Sequence, residues 1–446
     1  MRPIVVLLFD GLGDRAYPEL NGQTASEAAA TPCLDAFAAR GSNGLLWPLG
    51  RGRAPSSELA HWELLGYRPE EFPGRAVLEA RGWKRVVEPT DVYAYAALRP
   101  VEERGGALWV DGWPGPDEEG AASLLVGAVM TGEFDGMTFR LSYLHRGQAI
   151  LQISGRASSR LTDTDPFFSD RQPVLRPRPL DLRAEATAQA VEKWSRWVAD
   201  TLRANLVNRQ RSARGEQVLA AITLKWWGRH RPAPTFVHRH GLRGAVIGAA
   251  PFLAGLAETL GLEAVRMEET DEPGKDLDAR LDRIAELLEA GKTFVLSHQK
   301  ATDEAAHTED CREKVRVLQE LDAPVARLRE EPFAQAVVCI TGDHATPALP
   351  GIIHSGDPVP LAVGGPGVRS DAVERFGELW QAGGILGHLG GADVLPLLLN
   401  AADRPLFLGS RPTNVEGAMG HPELVESLPL WTEADAAVDE EKEAPA

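Results

Sequence analysis

IVVLLFDGLGD, residues 4–14, sets six apolar residues in an unbroken run and ends it on an acid followed by glycine. A strand with one wet face alternates apolar and polar residues. A run without alternation reads as a strand buried on both faces, as in a parallel sheet. The run is too short for the apolar core of a signal peptide, and Asp10 closes it. Similar runs recur at GAVIGA, TFVLSH and AVVCITGDH, separated by helical patterns such as LDARLDRIAELLEAGK and CREKVRVLQELDAPVARLREE. Strands alternating with helices predict an α/β sheet covered on both faces.

Residues 86–182 break this rhythm. Short β-rich pieces (DVYAYAALRP, MTFRLSYL, QAILQIS) are divided by GG, PGP and DEEG turns. This segment reads as an inserted α+β cap domain. The first rhythm returns at ATAQAVEKWSRWVADTLRANL, so the core is expected over residues 1–85 and 183–432, with an acidic tail at 433–446. KWWGRHRPAP reads as a packed connector.

The formal net charge of −17 over 446 residues argues against nucleic acid or an anionic membrane as partner. No apolar segment approaches membrane-spanning length. Three scattered cysteines, Cys33, Cys311 and Cys339, fit a reducing cytoplasm and offer no disulfide framework. Nothing in the pattern sets an oligomeric state.

Ligand-type residues gather where strands end. Asp10 follows IVVLLF, Asp343 and His344 follow VVCIT, and His354 comes ten residues later. Asp303 and His307, in QKATDEAAH, stand about one helical turn apart, so both side chains can face one object. Sites in open α/β sheets lie beyond the carboxyl ends of the strands, where such residues converge. Three aspartates and three histidines suit two divalent ions with mixed nitrogen and oxygen ligands; manganese, zinc or cobalt fit better than calcium. APSSELAHWELLGY supplies Ser57 at or near a helix N-terminus, where backbone N–H groups favour an anion such as phosphate. The same S-S-E-L pattern is also what an ordinary helix cap looks like.

Taken together, LLFDGLGD, LNGQTASEAAATPCLDAFAARG, SSELAHWELLGYRPEE, LTDTDPFF, QKATDEAAH, TGDHATP, IIHSGDPVPL and FGELWQAGGILGHLGGADVLPLLLN resemble the cofactor-independent phosphoglycerate mutases of the archaeal type. These belong to the alkaline phosphatase superfamily. The resemblance implies an alkaline-phosphatase-like three-layer sandwich with a central, mostly parallel sheet. It also implies two ions, one held by Asp303, His307 and His354, the other by Asp10, Asp343 and His344 with Ser57 as attacking oxygen. Phosphoryl transfer would pass through a phosphoserine at Ser57, on a small phosphorylated metabolite.

The cap departs from the family. Its arginine-bearing stretches are replaced, and Lys225 in LAAITLKWWG is the nearest cation. His145, Arg146, Asp163, Asn208, Arg211 and Lys300 are the remaining candidates for holding substrate. A complete reaction centre beside an altered clamp leaves three expectations: a phosphomutase whose substrate need not be 3-phosphoglycerate, a phosphatase with the same centre, or a silent metal-binding homologue.

Overall fold

The computed structural model describes residues 2–166 and 172–406. The expected acidic tail, the end of the expected core after residue 406 and the FF of LTDTDPFF lie outside the described residues.

Eight strands form the larger sheet, in the order Glu263–Arg266, Gly244–Gly248, Phe294–Gln299, Ile4–Phe9, Val337–Thr341, Val359–Gly364, Ser42–Trp47 and Gly387–Gly390. Only Val359–Gly364 runs against its neighbours. Every residue of Ile4–Phe9 is buried, as are those of Phe294–Gln299 and Val337–Thr341 on either side. Burying a Leu, Ile or Val in full contributes about 1.5–3 kcal/mol. The central strands are therefore the heart of the core.

The helices fall into two packing groups. Pro273–Glu289 packs with Cys311–Val325, which in turn meets Ala25–Ala28, Pro32–Ala38 and Ala301–Ala306. Arg75–Gly82 packs with Pro251–Leu260, and Ser57–Leu64 meets both Pro251–Leu260 and Gly391–Ala401. One group covers each face of the sheet, which makes three layers. Among the described residues, no helix is long and apolar enough to cross a membrane.

The second sheet is antiparallel, with the order Thr131–Phe134, Met137–Tyr143, Gln148–Ser154, Val92–Arg104, Ala107–Val110 and Gln172–Pro173. A seventh strand, Val218–Arg229, pairs along Val92–Arg104. This corrects the cap boundary expected at residue 182. Helix Glu185–Ala204 also belongs to the cap, burying Ala188, Val191, Trp194, Val198 and Leu202 against the second sheet's core. Its apolar stripe shows a buried face but not which sheet covers it. KWWGR is likewise the end of the seventh strand rather than a connector.

Candidate metal centre

Register brings the first ligands together. Ile4–Phe9 pairs in parallel with Phe294–Gln299 and with Val337–Thr341, so the three strands end side by side. Asp10 leaves the first strand with its N–H donated to the Gln299 carbonyl (2.9 Å), and Asp343 and His344 follow the third. Gly11 must be glycine: its φ is +63°, and a Cβ there would lie 2.5 Å from Thr346 Oγ1 and 2.9 Å from Asp303 Oδ1. Gly11 N–H donates to Asp343 Oδ1 (3.3 Å), and Thr302 donates to the Asp10 carbonyl.

The short helix Ala301–Ala306 carries Asp303 one turn before His307, and His307 Nε2 lies 3.3 Å from Asp303 Oδ1. His354 arrives from a loop folded back by pairing between Ala345 and Ser355. Its ring stacks on His344 with centroids 3.6 Å apart. Ser57 opens the helix Ser57–Leu64, after Ser56 as the N-cap residue. Its Oγ lies 3.0 Å from His344 Nε2.

His344 shows what the arrangement asks for. Thr346 Oγ1 donates to Asp303 Oδ1 (2.8 Å), so it accepts from His344 Nδ1–H (3.0 Å). That leaves Nε2 facing Ser57 Oγ at 3.0 Å, Asp10 Oδ1 at 3.0 Å and Asp343 Oδ2 at 3.4 Å. One proton cannot satisfy three oxygens; a cation among them can. His354 is oriented in the same way, giving Nδ1–H to the Pro55 carbonyl (2.7 Å) and leaving Nε2 free. Metal-ligating histidines are commonly fixed by this kind of bond through the other nitrogen.

Burial sharpens the demand. Asp10 Oδ1 and Asp343 Oδ2 are buried without a hydrogen-bond partner. Burial, then the nearby Asp10, pushes the Asp343 carboxyl up to about 7. Burial also opposes charge on His344, but Asp343 and Asp10 outweigh it and raise that imidazole to about 9. Carboxylates crowded out of water in this way are held together by cations. Ligand atoms of Asp10, Asp343 and His344 lie within 4.8 Å of one another, as do those of Asp303, His344 and His354. The donors fit divalent ions. His307 stands outside these tighter sets, its side chain 42% exposed at the cleft.

The centre opens into a cleft of about 950 Å³ between the sheets, lined also by Arg75, Trp113, Trp226, Phe252, Glu268, Glu269 and Lys300. Of the six candidates for holding substrate, Lys300 is the one that lines it, with Nζ donated to Glu304 (3.0 Å). Asp163 lies behind Trp226, accepting its backbone N–H (3.0 Å); burial pushes its carboxyl up to about 6. The other four do not line it. Asn208 is buried in the cap, bonded to the backbone of Leu202 and Leu219. Arg211 is engaged with Glu118 and the Gln217 carbonyl. His145 rests on Trp83, and Arg146 is exposed with its N–H given to Glu119.

Sequence reading missed Arg75, His61 and His298. Arg75 spans core and cap, bonded to Glu58 (3.1 Å) and Glu79 (3.2 Å) with its guanidinium 3.7 Å from the Trp226 ring centroid. His61 follows Ser57 by one helical turn, a spacing that does signal a shared face. His298 sits inside a strand run and gave no signal of its own.

Residues 2–401 match the model of the metalloenzyme superfamily. The 2,3-bisphosphoglycerate-independent phosphoglycerate mutase of Methanopyrus kandleri is 36% identical over 90% of this chain and 97% of its own length. The Methanocaldococcus jannaschii protein named phosphoglycerate mutase 2 is 33% identical over 92% and 95%. Among solved structures, the cofactor-independent phosphoglycerate mutase of Thermoplasma acidophilum aligns at a TM-score of 0.61 and 27% identity, covering 90% of this chain and all of that one. A Pyrococcus horikoshii protein aligns at 0.74 and 25%, covering 92% and 99%. The chain therefore belongs to the cofactor-independent phosphoglycerate mutase family, a family of metal-dependent phosphomutases.

Proposed function

We propose that Ser57 takes a phosphoryl group from a small phosphorylated metabolite and returns it to a second oxygen of the same molecule. The observation that carries this is the placement of Ser57 Oγ, 3.0 Å from His344 Nε2 at the open side of the ligand cluster. Asp10, Asp343 and His344 with Ser57 would hold one ion, and Asp303, His307 and His354 the other. Two divalent ions of the manganese, zinc or cobalt kind would supply the Lewis acidity that makes a serine hydroxyl a competent nucleophile.

In the forward half, Ser57 Oγ bonds to phosphorus as the bond to the substrate's ester oxygen breaks. In the return half, another substrate oxygen displaces Ser57. The ligands' part is positional. Thr346 and Pro55 fix His344 and His354 by their Nδ1 atoms, and the Gly11 amide and Thr302 hydroxyl hold the Asp10–Asp343 corner. The protein must also retain the dephosphorylated molecule between the halves. Mass spectrometry after incubation with substrate should find phosphate on Ser57. Phosphate on Ser56 instead would defeat the mechanism.

A specific observation favours hydrolysis as a second reading. Among the described residues, the Arg and Lys side chains lining the cleft are Arg75 and Lys300, and both already bond to carboxylates. A weakly held intermediate lets water meet the phosphoserine. Recording free phosphate beside isomerised product across a panel of phosphorylated metabolites separates the two readings.

A further inference from the structure

A bulged strand builds the cap's side of the cleft. Along Val218–Arg229 the pairing slips: Tyr93 faces Gly228 and Tyr95 faces Lys225, so Trp226 and Trp227 stand opposite one residue. Trp226 takes a φ of +62° there, the left-handed region, where a bulky residue is an outlier. Bulges re-aim side chains, and strain of this kind persists only where the surrounding fold holds it. Here it sets the Trp226 ring in the cleft wall, with the Arg75 guanidinium 3.7 Å from the ring centroid.

Trp113 stands in the same cleft and is 47% exposed. The Arg99 guanidinium lies 3.9 Å from its ring centroid. Arg99 is itself buried, fixed by Asp165 (3.0 Å) and by the carbonyl of Gly112 (2.8 Å). The scaffold thus holds the indole from one side while nearly half of the residue stays exposed, which is how a stacking surface is made. Lys225 Nζ lies 4.2 Å from the Trp226 centroid and 5.6 Å from that of Trp113. Arg99 and Lys225 therefore back the rings rather than line the cleft.

The core contributes Glu268, Glu269, Asp271 and Glu304 to the same space. Carboxylates accept hydrogen bonds and donate none. They repel a substrate's carboxylate, but they take hydroxyl groups in short, charge-assisted bonds. The C–H face of a sugar ring carries slight positive charge and suits the negative face of an indole. At about 950 Å³ the cleft has room for such a ring beyond the group held at Ser57. We infer that the cleft takes a phosphorylated sugar, with its phosphoryl group at Ser57, its ring on Trp113 and Trp226, and its hydroxyls toward the core carboxylates. The inference rests on the reading of Ser57 given above. Trp113 and Trp226 determine specificity in it: they offer a surface for a ring where a clamp would offer cations to a carboxylate.

Calorimetric titration of the whole Ser57→Ala chain in saturating manganese reads binding without turnover. The tighter of glucose 6-phosphate and ribose 5-phosphate should bind about tenfold better than either glycerol 3-phosphate or 3-phosphoglycerate. Adding Trp113→Ala should erase that preference, and Trp113→Phe should retain part of it. Binding of 3-phosphoglycerate as tight as that of the sugar phosphates would overturn the proposal, as would a preference that survives Trp113→Ala. Adenosine 5′-monophosphate binding more tightly than ribose 5-phosphate would point to a base on the rings and overturn it equally. The comparison of ligands with Trp113 intact decides the matter even if the second substitution disturbs the cap. Absence of phosphate on Ser57 in the wild type with every ester would sink the transfer reading alone, since these titrations do not use Ser57.

Discussion

The two sheets bury charge in opposite ways. In the cap, Arg99 meets Asp165 at 3.0 Å, Thr223 donates to the same carboxylate at 2.6 Å, and Arg99 Nε donates to the Gly112 carbonyl at 2.8 Å. Asn208 is bonded through both ends of its amide. At the strand ends of the larger sheet, Asp10, Asp343, His61 and His298 keep buried polar atoms without partners. A native interior rarely leaves such atoms open. The closed network around Arg99 and Asp165 belongs to the scaffold; the open cluster at the strand ends waits for something the chain does not itself supply.

The strongest way to break this contrast is to remove what the open set is for. Ser57→Ala should lower activity by about three orders of magnitude or more. It should leave the ions of the Asp303 side in place and abolish phosphate capture in mass spectra. Asp303→Ala should empty one position and Asp343→Ala another, each with a comparable loss of activity. Chelation should also lower thermal stability, since an ion held at a hundred times its Kd contributes about 2.7 kcal/mol. Full activity in Ser57→Ala, or a melting temperature indifferent to chelator, would show the open set to be scaffold after all.

The next test concerns what the cleft can hold. A charge-assisted hydrogen bond is worth about 1.5–3 kcal/mol, and two missing contacts would lower kcat/KM by roughly two to four orders of magnitude. With Arg75 and Lys300 both engaged by carboxylates, 3-phosphoglycerate should turn over that far below ordinary mutase rates. A simple phosphate ester should still react. An enolase-coupled assay on metal-saturated protein reads this directly, and brisk turnover of 3-phosphoglycerate would refute it.

These contrasts also explain how much was legible beforehand. Unbroken apolar runs mark central strands, and an acid at such a run's end marks a site beyond the sheet; Asp10 and Asp343 needed nothing more. His298 was invisible because it lies within the run TFVLSHQ, where only register decides which side chains reach the open end. The cap boundary failed for a related reason. Val218–Arg229 returns to pair with Val92–Arg104 more than a hundred residues later, and no local pattern encodes that partnership. Arg211 and Asn208 have the chemistry of a clamp, yet the cap's own carbonyls and carboxylates engage them. Residue type showed what they could bind, not what lay nearest.

If the closed cap network is scaffold, breaking it should cost stability rather than metal. Asp165→Asn leaves the Arg99 guanidinium facing a neutral amide in a buried setting. Losing one partner of a buried pair typically costs about 3–5 kcal/mol. Denaturant unfolding should show a loss of that size, with metal content per chain unchanged. A lost ion with intact stability would reverse the assignment.

The smallest effect is expected at a buried histidine whose partner the chain does supply. His240 lies 3.1 Å by Nε2 from the Leu65 carbonyl and stacks edge-on with Phe236 and Tyr67. Burial, with Arg239 adding repulsion, lowers its pKa to about 3, much as burial and His298 lower that of His61. The sign follows from proton uptake. The folded chain keeps His240 neutral, while the unfolded chain protonates it below an ordinary value near 6.5. Its contribution is intact above pH 6.5 and declines as pH falls toward 3. At pH 5 the loss is about 1.5 units of 1.36 kcal/mol, or about 2 kcal/mol relative to pH 8. His240→Gln keeps a donor for Leu65 but cannot protonate, so its stability should change less between pH 8 and pH 5 than that of the wild type. Both proteins should carry the same metal content at pH 8, since His240 belongs to none of the ligand sets. Parallel pH profiles for the two proteins would show that His240 is already protonated in the fold or exposed to water, and the neutral assignment would fall.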